Sequence, residues 1–212
     1  MIRRIYKKIR KFKNSVFAFF IRKRFEQNAI LVGKNQKFFA SAGILLNWGA
    51  KKENVIIYDH CSIFGSILSS GDGKIIMHEY SHLGVHSVLS AIDLIQIGKD
   101  TTISYNVTIQ DNNSHPINPD DRRYIWHTPH HSKERSNLFS AHAPIIIGEN
   151  VWIGQNARIC KGVTIGDNAI IAANSVVTHD VPANAIAAGN PARIVKEHID
   201  QTTTPIFPLE QK

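Results

Sequence analysis

The chain has 212 residues, of which 43% are hydrophobic and 20% are charged. This composition is ordinary for one soluble domain with a sizeable core, and it argues against disorder and against a polytopic membrane protein. The formal net charge of +8 is concentrated at one end, because residues 1–24 hold ten lysines and arginines and no acidic residue. Residues 25–212 carry 15 basic and 17 acidic side chains, so the basic character belongs to an N-terminal arm.

Residues 1–39 are predicted to form a basic, amphipathic helical arm. Its apolar residues recur three or four apart, which is typical of one helix face; they are Ile2, Ile5, Ile9, Phe12, Val16 and Phe19. The apolar run at 15–21 is too short to span a bilayer. Such a helix can lie on an anionic membrane surface, or it can pack on its own domain or on a neighbouring subunit, and the sequence leaves both readings open. Nucleic acid is not expected as a partner, because no recognised motif accompanies the bases.

The two cysteines, Cys61 and Cys160, are too few and too far apart to indicate a disulfide framework or a metal site. Proteins with so few cysteines are typical of a reducing compartment. We therefore expect a cytoplasmic protein, which is peripheral at the inner face of the membrane if the arm binds lipid.

A repeat of six residues decides the predicted fold. Position one of each hexad is aliphatic, at Ile147, Ile153, Ile159, Ile165, Ile171 and Val177, and position five is small or β-branched, at Val151, Ala157, Val163, Ala169, Ser175 and Val181. Neither the period of a strand nor that of an α-helix produces this pattern. A coil with three short flat sides per turn does, because position-one side chains then point inward and stack between turns. The sequence predicts an all-β protein, a left-handed parallel β-helix.

The same period recurs upstream at Met77, Leu83 and Leu89, and at Ile97, Ile103 and Ile109, with earlier turns suggested by Ile57 and Ile63. Phase changes near residues 69–76 and 93–97 predict small insertions at corners of the coil. The coil is expected to run from about residue 40 to residue 188, with one long polar interruption at 111–143. A loop of this length usually carries function. Residues 189–212 are predicted to form a short helix, at 192–199, and a tail.

Four motifs carry a resemblance to a known family. They are NVTIQDNNSHP at 106–116, PIIIGENVWIG at 144–154, GVTIGDNAIIAANSVVTHDVP at 162–182 and AAGNPARIVK at 187–196. Residues 95–196 resemble the sugar O-acetyltransferases of the hexapeptide-repeat superfamily, including the galactoside and maltose acetyltransferases and the O-acetyltransferases of capsule and lipopolysaccharide.

The resemblance implies a homotrimer with active sites in clefts between adjacent β-helices, and acetyl-CoA as the acyl donor, with no metal. The family's loop histidine matches His115, whose implied role is general base. Chemistry needs such a group, because a sugar hydroxyl is a poor nucleophile and a neutral imidazole can take its proton during attack on a thioester. The implied acceptor is a sugar of a surface polysaccharide or of its lipid-linked precursor.

Other positions carry roles that are implied by the same resemblance. The backbone N–H of Gln155 would stabilise the oxyanion, and Trp152 would lie near the acyl end of the cleft or would pack in an interface. Five further residues match family positions at the coenzyme A site: Ala173, Thr178, His179, Arg193 and Lys196. This sequence departs from the pattern there, since Ala172 and Asn174 replace glycines and His179 replaces a lysine.

Three more residues are candidates for the acceptor side of the site. His86 stands where the galactoside enzymes have an asparagine that contacts substrate. Asp111 and Asn113 would orient His115, or they would shape the turn before it.

Several alternatives remain at this stage. An N-acetyltransferase acting on an amino sugar or a serine acetyltransferase would use similar chemistry. A γ-type carbonic anhydrase shares the fold but needs three histidines that converge on zinc. The candidates are His78, His82 and His86, whose spacing of four predicts different sides of the coil, and the loop histidines His127, His130 and His131. A non-catalytic β-helix subunit is the last alternative.

Overall fold

In the computed structural model, which describes residues 17–202, the chain winds through three parallel sheets, and each turn adds one strand to each sheet. Sheet A contains β1 (Ile30–Leu31), β4 (Val55–Ile57), β7 (Lys74–Met77), β10 (Leu94–Ile97), β13 (Ile145–Ile147) and β16 (Thr164–Ile165). Sheet B contains β2 (Lys37–Phe38), β5 (Ser62–Ile63), β8 (His82–Leu83), β11 (Thr102–Ile103), β14 (Trp152–Ile153), β17 (Ile170–Ile171), β19 (Ile186–Gly189) and β20 (Ala192–Lys196). Sheet C contains β3 (Gly43–Asn47), β6 (Ser66–Ser70), β9 (Val88–Ala91), β12 (Thr108–Gln110), β15 (Arg158–Ile159) and β18 (Val176–Val177). The predicted fold class, an all-β left-handed parallel β-helix, is confirmed.

Helical segments are few. Residues 17–28 are helical and are called α1, and α2 spans Pro119–Trp126. Short 3-10 turns occur at Lys52–Asn54, Lys133–Arg135, Asn137–Phe139 and Ile199–Gln201. The corners between the sheets are called the AB, BC and CA corners.

The predicted hexad positions form the core. Ile97 lies opposite Ile147, and Ile147 lies opposite Ile165, so that aliphatic side chains stack from turn to turn. The side chains at position one are at most 1% exposed in both the strict and the irregular repeats. Burying one such side chain stabilises the fold by about 1.5–3 kcal/mol relative to leaving it in water. Small polar side chains at the corners form hydrogen bonds with main-chain groups. Thr101 Oγ1 donates to the Gly148 carbonyl at 2.8 Å and accepts from the Val151 N–H at 3.0 Å.

One residue in each AB corner adopts a left-handed backbone conformation. In the later turns these residues are Asn150, Asn168 and Asn184, with φ between 52° and 60°. Asparagine tolerates this conformation better than most residues. The amide of Asn150 donates to that of Asn168, which donates to Asn184, each at 2.9 Å. In the earlier turns His60 and Tyr80 occupy the same position, and their rings stack at 4.5 Å.

The predicted corner insertions exist, and all of them fall at the CA corner. Residues 71–73 separate β6 from β7, and residues 92–93 separate β9 from β10. The long interruption, between β12 and β13, lies at the same corner. The sequence therefore predicted the insertions but not that they share one edge of the β-helix.

The coil begins earlier than expected. Strand β1 pairs with β4, β2 with β5 and β3 with β6, so the first turn starts at Ile30 rather than near residue 40. The prediction was wrong because this turn has irregular spacing and lacks a clear hexad. Helix α1 packs on it through Phe25, whose ring stacks on that of Phe38 at 4.2 Å.

The described part of the arm therefore contacts its own domain. Arg22 donates to the Gln36 carbonyl and Arg24 to the Ile44 carbonyl. Phe19 remains 57% exposed, while the rest of the predicted apolar stripe, at residues 2–16, lies outside the described residues. Within residues 17–202, no helix has both the length and the apolar character that crossing a bilayer requires.

The predicted C-terminal helix at 192–199 is a β-strand. Strand β20 runs antiparallel to β19, with Ala188 opposite Arg193 and Gly189 opposite Ala192. The β-branched Ile194 and Val195 favour this extended form. A 3-10 turn at Ile199–Gln201 follows β20, and residues 203–212 lie outside the described part.

Candidate active site

His115 lies in the stem of the long loop at the CA corner and is exposed to solvent. The preceding residue, Ser114, has a left-handed φ of 65°, which turns the chain sharply just before the histidine. The Asn112 side chain holds this turn by accepting from the Ser114 N–H at 3.0 Å, and Gln110 Nε2 donates to Ser114 Oγ at 2.6 Å. His115 is thus presented to solvent by a turn that is fixed by side-chain hydrogen bonds.

Asp111 is fully buried. Its carboxylate accepts from the N–H groups of Ile92 and Asp93 and from Asn112 Nδ2, at 2.8–3.1 Å. Burial raises the pKa of Asp111, although these hydrogen bonds oppose the shift. Contact between Asp111 and an acceptor stays a prediction, and the hydrogen bonds that its oxygens already accept do not favour it. Asp111 instead ties the loop stem to the preceding turn of the coil.

The other side of the stem is closed by pairing across the loop. Asn112 bridges to His142, and the Asn113 N–H donates to the Ala141 carbonyl at 3.0 Å. His142 Nδ1 also donates to Asp93 Oδ2 at 3.1 Å. The Asn113 side chain is exposed, two residues before His115 in the chain.

The outer part of the loop has its own structure. Asn118 caps α2 by accepting from the Asp120 N–H at 2.8 Å, and Ile125 is buried beneath the helix. Arg135 donates to the Trp126 carbonyl, and its guanidinium lies 5.3 Å from the centre of the Trp126 ring. This loop is therefore a folded subdomain rather than an irregular connection.

The predicted oxyanion donor, the Gln155 N–H, lies at a different corner of the β-helix from His115. Gln155 is at the BC corner, where its carbonyl accepts from the Asn174 N–H at 2.8 Å and the next N–H, of Asn156, donates to Tyr105. Among residues 17–202, no main-chain acceptor at this corner takes the Gln155 N–H, so that donor is free for a ligand. Trp152 is 55% exposed on sheet B, with Nε1 at 3.4 Å from Ser104 Oγ.

His86 shares the BC corner with Gln155. It is exposed, has a left-handed φ of 60° and lies two turns of the coil earlier. Since neighbouring strands are about 4.8 Å apart, roughly 10 Å of corner separates the two residues. A ligand that runs along this corner could contact both.

The predicted coenzyme A residues fall into three groups. Ala173 lies exposed at the BC corner, one turn after Gln155. Thr178 and His179 lie at the CA corner, with Thr178 Oγ1 at 2.9 Å from His179 Nδ1. Arg193 and Lys196 are exposed on β20, and His179 and Arg193 line one small cleft of about 290 Å³. The structure thus brings His179 and Arg193 together but not Ala173 with them.

One chain does not assemble the whole predicted site. His115 lies at the CA corner, whereas Gln155 lies at the BC corner and Trp152 on sheet B. Sequence reasoning also missed the residues that fix the histidine turn, Gln110 and Ser114. Their signal was the density of polar side chains in QDNNSHP directly after a strand.

The histidines considered for zinc do not converge. His78 lies at the AB corner, His82 on sheet B and His86 at the BC corner, as the repeat predicted. Across the described range, 17–202, no group of three or more potential ligand side chains could hold a metal ion. Both cysteines are unpaired there, with Cys61 buried.

Comparisons with known proteins agree with this architecture. Residues 144–179 match the family described as bacterial transferase hexapeptide (six repeats). The galactoside O-acetyltransferase of Escherichia coli strain K12 is 40% identical over 113 residues, which are 50% of this chain and 56% of that protein. The chain thus spans about half the length of this curated relative.

Two solved structures are similar over most of the chain. The polySia-specific acetyltransferase NeuO is 26% identical with a TM-score of 0.59, covering 80% of this chain and 81% of that one. The N-acyltransferase AntD from Bacillus cereus, as a mutant in complex with dTDP and coenzyme A, has a TM-score of 0.63 at 18% identity, covering 83% and 87%. The second likeness concerns the fold alone.

Proposed function

We propose that this chain, as a member of the hexapeptide-repeat acetyltransferase family, transfers an acetyl group from acetyl-CoA to a sugar hydroxyl. The acceptor would belong to a surface polysaccharide or to its lipid-linked precursor. The observation that carries the proposal is the exposed His115 on a turn that Asn112 and Gln110 hold fixed. Similarity to sugar acetyltransferases supports the same reading.

The chemistry follows from these groups. Neutral His115 would accept the hydroxyl proton as the oxygen attacks the thioester carbonyl carbon, which contributes about 10²–10⁴-fold in rate. The carbonyl oxygen would become an oxyanion and accept a hydrogen bond from the Gln155 N–H. Collapse of the intermediate would break the carbon–sulfur bond, and the departing thiolate of coenzyme A would take the proton from the imidazolium.

This mechanism needs a second copy of the chain. His115 and Gln155 lie at different corners of one β-helix, so the CA corner of one subunit would face the BC corner of the next. A closed ring of three subunits would give every histidine a partner. We expect sedimentation to give a trimer, and an active monomer would contradict the shared cleft.

The test of the proposal is His115→Ala. Turnover measured by coenzyme A release should fall by about 10²–10⁴-fold, with little change in acetyl-CoA affinity. The matched control is His131→Ala, which removes another exposed histidine of the same loop. Near-normal turnover of a folded His115→Ala protein would remove the general-base role.

The acceptor atom needs its own measurement, because the same base would also serve an amine. An N-acyltransferase shares this fold, which keeps the amino-sugar alternative open. A panel that pairs each amino sugar with its hydroxyl counterpart would separate the two. Faster transfer to the amine across the panel would replace the hydroxyl assignment.

Membrane association of residues 1–24 stays a prediction. Phe17, Phe19 and Phe20 are exposed on α1, and three basic residues follow at 22–24. Anionic vesicles should retain the full chain at low salt, and the attraction should weaken as ionic strength rises. If the chain stays in the supernatant, the arm serves only to pack on the domain.

A further inference from the structure

A cleft of about 870 Å³ lies on the CA corner, outside the residues considered so far for catalysis. Corner insertions of the first turns form one wall, at residues 48–51, 71–74 and 92–94, and the long loop forms the other through Lys133, Leu138 and His142. The corners of the regular six-residue repeats are too short to enclose such a space, so the cleft exists because these turns depart from the repeat.

The two walls are fixed to each other. Leu138 packs so closely on Gly71 that a side chain there would approach it to 2.8 Å, and Gly71 has a left-handed φ of 61°. Asp111 binds the main chain of Ile92 and Asp93, which line the cleft, and His142 contacts Asp93. The same stem carries His115, so the cleft and the proposed base are parts of one structure.

The cleft has a net positive charge, because three lysines and two aspartates line it. Lys51, Lys74 and Lys133 line it, and within residues 17–202 none of them has a carboxylate oxygen within 4.0 Å. The two acidic residues that line the cleft are Asp72 and Asp93, and Asp93 Oδ2 also accepts from His142 Nδ1, so the lysines outnumber the carboxylates by one. Unpaired ammonium groups around a cavity favour an anionic ligand.

The cleft also offers a surface for a ring. Trp48 lies at its rim and is 42% exposed. An indole presents a large flat area with a polar edge, which suits a molecule that is apolar on one side and polar on the other. A pyranose ring that carries a carboxylate or a phosphate has both features.

We propose that this cleft binds an anionic saccharide, and that the acceptor of the reaction therefore carries a negative charge. The inference rests on the proposed function for the identification of the bound sugar as the acceptor. The negative charge of the saccharide would come from a carboxylate, as in a uronate, or from a phosphate, and the lysines would bind either group.

Binding to the full-length protein tests this directly, by calorimetric titration with matched pairs of small sugars. The first pair is p-nitrophenyl β-D-glucuronide and its neutral glucuronamide, and the second is glucose 6-phosphate and glucose. Contacts of the charged group with three exposed lysines should give about tenfold tighter binding of the charged sugar. The preference should shrink at high ionic strength.

Lysine variants locate the effect. Lys51→Gln, Lys74→Gln and Lys133→Gln should each reduce the preference about twofold, and the triple variant should abolish it. Lys99→Gln is the matched control, since Lys99 is also exposed but lies at the AB corner. The single variants keep the test valid if the triple variant is unstable.

The outcomes separate the two proposals. Equal binding of charged and neutral sugars, or a preference that survives in the lysine variants, overturns the anionic cleft. A preference for one charged member identifies its source as carboxylate or phosphate. If anionic sugars bind as expected but acetyl-CoA delivers no acetyl group to any sugar, the cleft stands and the proposed function fails.

Discussion

The coil and the loop of this protein are stabilised in different ways. The coil repeats one arrangement many times, with aliphatic side chains stacked inward and parallel strands outside, so each contact is supported by its neighbours. The loop at 111–143 depends on a few individual hydrogen bonds, above all those of Asp111 and Asn112. Changes in the coil should therefore affect stability first, whereas changes at the loop stem should affect activity first.

The largest expected effect on stability comes from the coil core. Leu89 is completely buried, so Leu89→Ala should cost about 2–5 kcal/mol by leaving a cavity. Thermal unfolding measures this loss, and turnover per folded molecule should stay unchanged. Val88→Ala, on the outer side of the same strand, is the control and should cost less than about 1 kcal/mol. Equal losses for both would mean that the inward stack is not the main source of stability.

A change at the loop stem should lower turnover as well as stability. Asp111→Ala leaves the N–H groups of Ile92 and Asp93 without their acceptor. The free energy of unfolding should therefore fall by about 1–3 kcal/mol. Because the stem positions His115, we also expect turnover to fall at least about tenfold, as small misplacements of a catalytic group are costly. Asp121→Ala removes an exposed carboxylate from the same loop and should change neither quantity. Unchanged turnover in Asp111→Ala would separate the stem from catalysis.

The asparagine ladder allows a finer comparison within the coil. Asn168→Gly keeps the left-handed corner but removes two amide hydrogen bonds, for an expected loss of about 0.5–1.5 kcal/mol. Asn168→Ala should lose about 1 kcal/mol more, because alanine is strained at a φ of 60°. Denaturant titration of both variants measures these two losses of stability. Equal stability of the two variants would show that the corner imposes no strain.

The smallest expected effect concerns pH. Burial lowers the pKa of His82, which lies beside Phe64 on sheet B. The unfolded chain therefore binds a proton more readily than the folded one, so stability falls as the pH drops below the ordinary histidine value of about 6.5. In His82→Phe this acid sensitivity should be smaller, as measured by unfolding temperatures at pH 5 and pH 8. An acid sensitivity that is the same in His82→Phe as in the unaltered protein would contradict this assignment.

The coil was predictable because its period is local. Every position-one residue of the hexads, from Ile57 to Val177, could be read from spacing and proved buried. The first turn was missed because its strands are recognised only through pairing with β4, β5 and β6. Strand β20 was taken for a helix for the same reason, since pairing with β19 decides its conformation.

The site was predictable only in its parts. The motif around His115 located the histidine, but the burial of Asp111 depends on a neighbouring turn that is distant in sequence. The lysines of the cleft are spread from residue 51 to residue 133, and no local pattern connects them. Only the alignment of all insertions at one corner brings them together.

The packing of α1 on the first turn also affects the strand edges at one end of the β-helix. Stacked parallel strands end in unpaired edges, and such edges can recruit further strands from other molecules. At one end, Phe25 covers the apolar ring of Phe38, and Arg24 occupies the Ile44 carbonyl of the edge strand β3. At the other end, β20 pairs with β19 in the antiparallel direction, which stops the parallel stacking of sheet B. These contacts oppose end-to-end growth into fibres at the strand edges that they cover.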